Sequence, residues 1–412
     1  MIEAAVFGYG NIGSGVVRVI EENQDRIEKA VGEGIHVKYV LDLRDFEGDP
    51  IQSRVVHDVD IIVDDPDIRV IAETMGGNEP AYTFTKKALE KGKSVCTSNK
   101  ELVANHGAEL IRIAKAHGCS YLFEASVGGG VPIIRPITQC LAANEIDEIA
   151  GVLNGTTNFI LTKMIEESMS FDDALKLAQE NGYAEKDPTA DIEGFDSCRK
   201  ICILASLCFG KHVYPDQIHT EGITKVTLED AEYVGSYNAV IKLLGRAKRI
   251  SDDKICAMVS PCIVKNFSQL GNVHDVFNAI LVRGDAIGDV VFYGKGAGKL
   301  PTASAVVADV IDCAKHAKRK KIFGWEDSEP DYIYDYRKME NALYVRAESD
   351  DRAQALEKVA EQFGEITVLY RRNAPHNEFA FVTDVAPEGE LMEKLNSIES
   401  ITPLSVIRVT DY

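Results

Sequence analysis

Apolar residues recur in two alternating rhythms along residues 1–130. Short runs rich in β-branched and aliphatic residues predict strands at Ile2–Phe7, Val37–Leu41, Asp60–Val63, Val70–Glu73, Ser94–Thr97 and Tyr121–Glu124. Between them, helical periodicity predicts segments such as Ala81–Lys91 and Ala108–His117. Strands alternating with helices argue for an α/β domain, a doubly wound parallel sheet. Glycines 128–130 and Pro132 break the pattern and close a first domain at 1–130.

The pattern changes over 131–323. Strand-like Glu148–Leu153 leads into Asn154-Gly155-Thr156-Thr157-Asn158 and a helix. A polar loop at Asp187–Gly194 precedes an apolar helix ending near Gly210. A glycine loop, Tyr293-Gly294-Lys295-Gly296-Ala297-Gly298, precedes a helix at Ser304–Ala317, and the 300–317 end is expected to pack back on the first domain. A basic, Pro-containing stretch from about residue 318 reads as a linker, taken as 324–338. Residues 339–412 read β-α-β-β-α-β: Leu343–Ala347, Ala353–Phe363, Ile366–Arg371, Glu378–Val385, Gly389–Asn396 and Leu404–Val409. That is a small α+β module with its own core.

The net charge of −20 argues against a nucleic-acid partner, which would require basic patches. No apolar run is long enough to span a membrane, and the first residues lack a signal peptide's basic and apolar regions. Nine scattered cysteines suggest reduced thiols and a cytoplasmic protein. Cys198, Cys202 and Cys208 are close together, but they sit in an apolar helical run and read as buried thiols rather than metal ligands.

Gly8-Tyr9-Gly10-Asn11-Ile12-Gly13 follows the first strand and opens a helix, the context in which a G-x-G-x-x-G pattern carries meaning. Gly8 permits the tight turn, Gly10 the approach of a pyrophosphate, and Gly13 close helix–sheet packing. The helix N-terminus offers N–H groups to the anion. The expected fold is therefore Rossmann-type, with NAD or NADP as cofactor. Asp42 after the second strand suits the ribose hydroxyls of NAD, and Arg44 the 2′-phosphate of NADP; with both present the choice stays open. Two loops at strand carboxyl ends, Thr74-Met75-Gly76-Gly77 and Thr97-Ser98-Asn99-Lys100-Glu101, extend the candidate cofactor site, with Gly296 of the later glycine loop. Lys100 stands in a helix's first turn, where the dipole disfavours a cation, which points to a functional role.

Asp196 and Lys200 lie four residues apart, on one face of the apolar helix. They stand with Arg199 at the start of a buried stretch, where charges border a cleft.

Four segments resemble homoserine dehydrogenase: Phe123–Pro132, Gly151–Asn158, Gly182-Tyr183-Ala184-Glu185 through Lys200, and Tyr293–Gly298 with Leu300-Pro301-Thr302. With the cofactor loop they cover residues 1 to about 320 in the expected order. The resemblance implies NAD(P)-dependent interconversion of L-homoserine and L-aspartate 4-semialdehyde, a step in threonine and methionine biosynthesis. It implies that 131–323 is a substrate-binding, catalytic and dimerisation domain, and that the chain forms a homodimer or homotetramer. Such chemistry needs a positioned acid/base for the hydroxyl proton, and a lysine serves if desolvation or a nearby cation lowers its pKa. The matching positions imply that role for Lys200 and a cofactor- and substrate-side role for Lys100, the two lysines perturbing each other. Glu185 and Asp196 would bind the substrate, with Gly155, Thr156 and Tyr183 lining its pocket.

The resemblance also implies a monovalent cation, Na+ or K+, at Glu124, Val127, Gly129 and Val131; one carboxylate plus backbone carbonyls suits a hard cation. The other reading of Glu124 is a carboxylate satisfying turn N–H groups. Residues 339–412 resemble an ACT domain, but the turn Ser349-Asp350-Asp351-Arg352-Ala353 lacks the glycine that would let an effector approach. A competing enzyme reading, aspartate-semialdehyde dehydrogenase, would need a thiolate, and Cys96 is the cysteine placed for it. A decayed, non-catalytic sensor is the other alternative. With no phosphate-loop kinase signature, a monofunctional enzyme is expected.

Overall fold

The computed structural model describes residues 1–316 and 323–412. The chain forms two compact units. The first comprises Met1–Glu145, Cys202–Pro215 and Gly294–Glu329; the second comprises Ile146–Ile201, Asp216–Tyr293 and Pro330–Tyr412.

In the first unit β1 (Ile2–Phe7), β2 (Ile35–Leu41), β3 (Val55–Val56), β4 (Ile68–Glu73), β5 (Ser94–Thr97) and β6 (Tyr121–Leu122) form a sheet ordered β3-β2-β1-β4-β5-β6. Its neighbours pair in parallel. This is the Rossmann order, and it reverses between β1 and β4, where such sheets bind ligands. Ala4–Phe7 of β1 are all buried, as expected when both sheet faces are covered. Helix Lys299–Lys315 packs on this unit: Val306, Val307 and Val310 share a core with Val16, Val17 and Ile20 of helix Asn11–Glu22. A Cβ on Gly15 would stand 3.0 Å from Ala303 Cβ, so glycine sets how closely these helices approach.

Several expected boundaries differ. Asp60–Val63 is not a strand but part of helix Val59–Val63. Asp58 caps it, accepting from the Asp60 N–H at 2.9 Å, and buried Val59, Ile62 and Val63 have helical spacing. The helix expected from Ala108 begins at Lys100, because Asn99 caps it by accepting from the Leu102 N–H at 3.1 Å. The strand expected over Tyr121–Glu124 stops at Leu122, and Glu124–Ser126 form a 3-10 turn. Ala317, the expected end of the last helix of this region, lies outside the described residues.

The boundary expected at 130 falls inside the first unit. Segment 131–145 is held there by Glu124, whose carboxylate accepts the N–H groups of Ile133, Ile134 and Arg135. Arg135 also pairs with Asp309 of helix Lys299–Lys315. The expected linker 324–338 is not a solvated connector. Trp325 is buried, its ring so close to Gly107 that a Cβ there would lie 2.4 Å away, and its Nε1 donates to His212 Nδ1 at 3.1 Å. Tyr332 is buried too, and Tyr334 donates its N–H to the Ile255 carbonyl at 2.7 Å. The linker's first residues, 318–322, lie outside the described part.

The second unit is built on β7 (Ile146–Val152), β8 (His219–Thr220), β9 (Ala239–Ser251), β10 (Lys254–Lys265), β11 (Phe277–Gly284), β12 (Gly288–Lys295), β13 (Glu340–Glu348), β14 (Ile366–Leu369), β15 (Glu378–Thr383), β16 (Ala386–Pro387) and β17 (Thr402–Val409). Among the described residues the sheet runs β12-β11-β7-β9-β10-β17-β13-β15-β14, with β8 and β16 off that path. The last four form, with helices Arg352–Phe363 and Glu388–Asn396, a split βαβ arrangement with its own core of Leu343, Val345, Phe379, Phe381 and Leu391. Its β17 pairs in parallel with β10, and Tyr412 is buried among Ala150, Val152 and Leu244. The C-terminal residues thus extend the sheet of this unit rather than hang from it. No helix among the described residues is long and apolar enough to cross a membrane.

Candidate active site

In the second unit the site grows from the end of β7. Asn154 caps helix Gly155–Glu167, its Oδ1 accepting from the Thr157 N–H at 2.8 Å. The same side chain donates through Nδ2 to Asp191 at 2.6 Å and to Asp196 at 2.8 Å. Asp196 and Lys200 share one face of helix Phe195–Phe209, and Lys200 Nζ lies 2.8 Å from Asp196 Oδ2. Lys200 also donates to the Leu153 carbonyl at 2.8 Å. Both charges are buried, at 4% and 7% exposure, so their pairing is shielded from water and from screening by salt. Thr156 donates to the Tyr183 carbonyl at 2.6 Å, and the Tyr183 ring sits edge-on against Phe159. A Cβ on Gly155 would meet the Val276 carbonyl at 2.7 Å, so the helix start lies tight against the loop before β11.

The fold therefore brings Gly155, Thr156, Tyr183, Asp196 and Lys200 around one helix start. Glu185 is on an exposed loop, tied through its main chain, which accepts from Gln179 Nε2 at 3.0 Å. Sequence reasoning missed Asn154 and Asp191. Asn154 carried an N-cap signal, a polar residue between strand and helix. Asp191 lay in a stretch read as loop and forms part of the short helix Thr189–Ile192.

In the first unit Gly8 has φ +86°, and a Cβ on Gly13 would lie 1.9 Å from the Gly8 carbonyl oxygen, so the turn tolerates no side chain there. Gly10 faces open space and caps helix Asn11–Glu22 without a side-chain hydrogen bond; Ile12 lies one turn-position inside the helix. This leaves N–H groups free of a built-in side-chain cap, the arrangement a phosphate uses. A cavity of about 410 Å³ is lined by Gly8, Gly10, Asp42, Arg44, Met75 and Gly76. Asp42 and Arg44, two alternatives in the sequence, are partners: Arg44 Nε is 3.0 Å from Asp42 Oδ1. Asp42 also accepts the Tyr9 N–H at 2.8 Å, and the Arg44 pairing holds its carboxyl down at about 2. His57, missed in the sequence, hydrogen-bonds the Asp42 carbonyl at 2.7 Å through its ring and lines the same cavity.

Glu73 was missed as well. It is fully buried at the end of β4, and burial pushes its carboxyl upward. It accepts the Met75 N–H at 2.8 Å and bonds Thr97 Oγ1; Ser98 donates its N–H to the Glu73 carbonyl at 3.3 Å. Asn99 Nδ2 reaches the Gly77 carbonyl at 2.6 Å. One buried carboxylate thus clamps the two loops that carry Met75, Gly76, Thr97, Ser98 and Lys100. Lys100 is half-buried at the first position of its helix.

The Glu124 carboxylate accepts three backbone N–H groups, from Ile133, Ile134 and Arg135, the turn-satisfying reading the sequence offered beside the cation. Its own N–H is held by Asp309 at 2.8 Å, whose carboxyl is pushed up to about 7 by burial against the pull of Arg135. The Gly129 loop packs on the Gly296 loop: a Cβ on Gly129 would stand 2.2 Å from the Gly296 carbonyl oxygen. Cys96 is buried, its Sγ 3.6 Å from Cys313 Sγ, and burial raises its pKa; it is the reverse of an activated thiolate. Cys198 and Cys202 are buried in their helix as expected, whereas Cys208, near the helix end, is only half-buried.

A glycine-rich dinucleotide fold in one unit and a buried carboxylate–lysine pair in the other are the parts of a nicotinamide-dependent oxidoreductase. Residues 8–124 match the family model "Homoserine dehydrogenase, NAD binding domain", and residues 132–311 match "Homoserine dehydrogenase". The chain is 36% identical to a homoserine dehydrogenase of Bacillus subtilis, over 97% of this chain and 96% of that one. It superposes on the crystal structure of a homoserine dehydrogenase from Thiobacillus denitrificans with TM-score 0.90 at 33% identity, covering 100% of this chain and 98% of the other. A hyperthermophilic archaeal homoserine dehydrogenase solved in complex with NADPH matches with TM-score 0.66 at 28% identity, over 78% of this chain and 99% of that one. The chain belongs to the homoserine dehydrogenase family and is an oxidoreductase with an NAD-binding domain and a catalytic domain.

Proposed function

We propose that Lys200 is the acid/base of this homoserine dehydrogenase, exchanging the proton of the substrate hydroxyl as homoserine and aspartate 4-semialdehyde interconvert. A nicotinamide cofactor, held at the glycine turn, would supply the hydride acceptor or donor. The observation that carries the proposal is the seat of Lys200: buried, with its Nζ fixed between the Asp196 carboxylate and the Leu153 carbonyl. Those two bonds leave one direction of the tetrahedral amine for a reacting hydroxyl. In oxidation the neutral amine takes the hydroxyl proton; in reduction the ammonium returns it to the aldehyde oxygen. Asp196 orients the amine, while Thr156, Tyr183 and the backbone of Gly155 line the substrate. Glu185, exposed on its loop, takes the substrate ammonium, and Lys100 serves the cofactor and substrate from its helix start.

NAD or NADP would lie along Gly8, Gly10, Asn11, Ile12 and Gly13, with Asp42 and Arg44 at the ribose and Met75, Gly76, Thr97, Ser98 and Gly296 towards the nicotinamide. The open face of Gly10 and the cavity it lines fit a pyrophosphate. A relative's complex with NADPH supports a phosphorylated cofactor. A monovalent cation would be held at Glu124, Val127, Gly129 and Val131, mostly through main-chain carbonyls, since three N–H groups already use much of the Glu124 carboxylate.

The C-terminal βαββαβ module is ACT-like and supports assembly as a homodimer or homotetramer in the cytoplasm. It is a poor effector site: Ser349 Oγ already accepts the Asp351 N–H at 3.3 Å, and Asp351 caps Gln354 N–H at 3.1 Å. The proposal is tested by absorbance at 340 nm with homoserine and either cofactor. Lys200→Ala should lower kcat at least about 100-fold with cofactor affinity unchanged. Near wild-type turnover would remove Lys200 from the mechanism.

A further inference from the structure

Leu153 offers one carbonyl to two donors. Lys200 Nζ donates to it at 2.8 Å and Asn278 Nδ2 at 2.9 Å. Asn278 comes from β11 and is 3% exposed. Its Oδ1 is buried and, among the described residues, has no hydrogen-bond partner. Turning the amide over would set that oxygen against the Leu153 carbonyl, so the orientation is fixed by chemistry. An amide that leaves its oxygen unpaired is a costly way to fill buried space. Its value at this place lies in the N–H given to Leu153.

We infer that Asn278 is a positioning residue for Lys200: it holds the Leu153 carbonyl at the lysine amine and shares its lone pairs, which weakens that carbonyl's hold on the ammonium form. A carbonyl that accepts only from Lys200 favours the charged amine; one that also accepts from Asn278 favours it less. Among the described residues, the carboxylates bonded at this cluster are Asp196, on the lysine's own helix, and Asp191, both bound by Asn154. The strands contribute neutral groups: Leu153 beyond β7, Asn278 on β11, and Gly245 of β9 against Ile201. Asn278 also lies beside the start of helix Gly155–Glu167, since a Cβ on Gly155 would stand 3.4 Å from its Oδ1.

The inference rests on Lys200 being the acid/base, and the test separates the two claims. The experiment is kcat for homoserine oxidation from pH 6 to 10 in the wild type, Lys200→Ala, Asn278→Asp and Asn278→Ser, each checked for folding by circular dichroism and thermal melting. Asn278→Asp removes the donor and places a carboxylate within about 6 Å of the lysine nitrogen, enough to move the ascending limb, above which the amine is neutral, up by one to two pH units. Asn278→Ser removes the donor without adding charge and should raise the limb by less than one unit. Both variants should leave KM for homoserine within about threefold, because Asn278 acts through Lys200. A merely structural role would lower the melting temperature and leave the limb in place. An unmoved limb in folded Asn278→Ser, or in folded Asn278→Asp, overturns the inference. If Lys200→Ala keeps its turnover, the reading of Lys200 fails first and this one with it.

Discussion

Replacing Lys242 with methionine separates the cost of a buried ammonium from the worth of the hydrogen bonds it makes. Lys242 on β9 is 2% exposed. It donates to Asn158 Oδ1 at 3.1 Å and to the Val273 carbonyl. Asn158, at the end of the Asn154–Asn158 segment, donates onward to the carbonyls of Val273, Asp275 and Phe277 at 3.1, 2.9 and 3.3 Å. Burial lowers the Lys242 pKa from 10.5 to about 8. The folded state therefore binds fewer protons than the unfolded state between those values. The stability from this group is present above the unfolded pKa and is lost as pH falls through 8. At pH 7 the shift corresponds to about 3 kcal/mol of cost, of which about 2 kcal/mol is recovered by pH 10. Methionine removes the cost and leaves Asn158 Oδ1 without a donor, a penalty of about 1–3 kcal/mol; Val273 keeps the bond from Asn158. The two terms nearly cancel at pH 7 and not at pH 10. Urea unfolding of wild type and Lys242→Met at pH 7, 9 and 10 should show a small difference at pH 7 and a wild-type advantage growing by about 2 kcal/mol towards pH 10. A difference that is flat with pH refutes the argument, because the ammonium would then carry no burial cost.

Three other outcomes follow from the sites. Glu185→Gln should raise KM for homoserine about tenfold with kcat nearly unchanged, since an ammonium contact exists in ground and transition states alike; a lower kcat at constant KM places Glu185 in the chemical step. Asp42→Ala removes an ionised carboxylate and releases Arg44 from its pair, so the ratio of kcat/KM with NADP+ to that with NAD+ should rise about tenfold; an unchanged ratio takes this pair out of cofactor choice. Threonine should inhibit weakly or not at all through the Asp350–Arg352 turn, where the Asp351 N–H is already bonded to Ser349 and the Asp351 carboxylate to the Gln354 N–H beyond the turn; strong inhibition abolished by changes in that turn contradicts this.

The sequence by itself determined the elements whose reasons are local. Strand runs, the glycine turn at Gly8–Gly13 and the four-residue spacing of Asp196 and Lys200 depend on period, backbone freedom and face, all readable along the chain. Local signals also failed where two periods compete: Val59, Ile62 and Val63 fit a strand run until the Asp58 cap decides for a helix. Tertiary structure alone decided who meets whom. Asp42 and Arg44 read as rival ribose ligands and fold into one ion pair. Glu124 read either as a cation ligand or as a turn acceptor, and only the fold shows its carboxylate taking the N–H groups of 133–135. The 324–338 stretch is polar enough to read as linker, yet Trp325 fills the space left by Gly107. Asn154, Asp191 and Asn278 converge on the Lys200 seat from segments up to about 120 residues apart. A hydrogen bond or a packed ring depends on distance in space, and sequence spacing fixes that distance only within a helix or a strand.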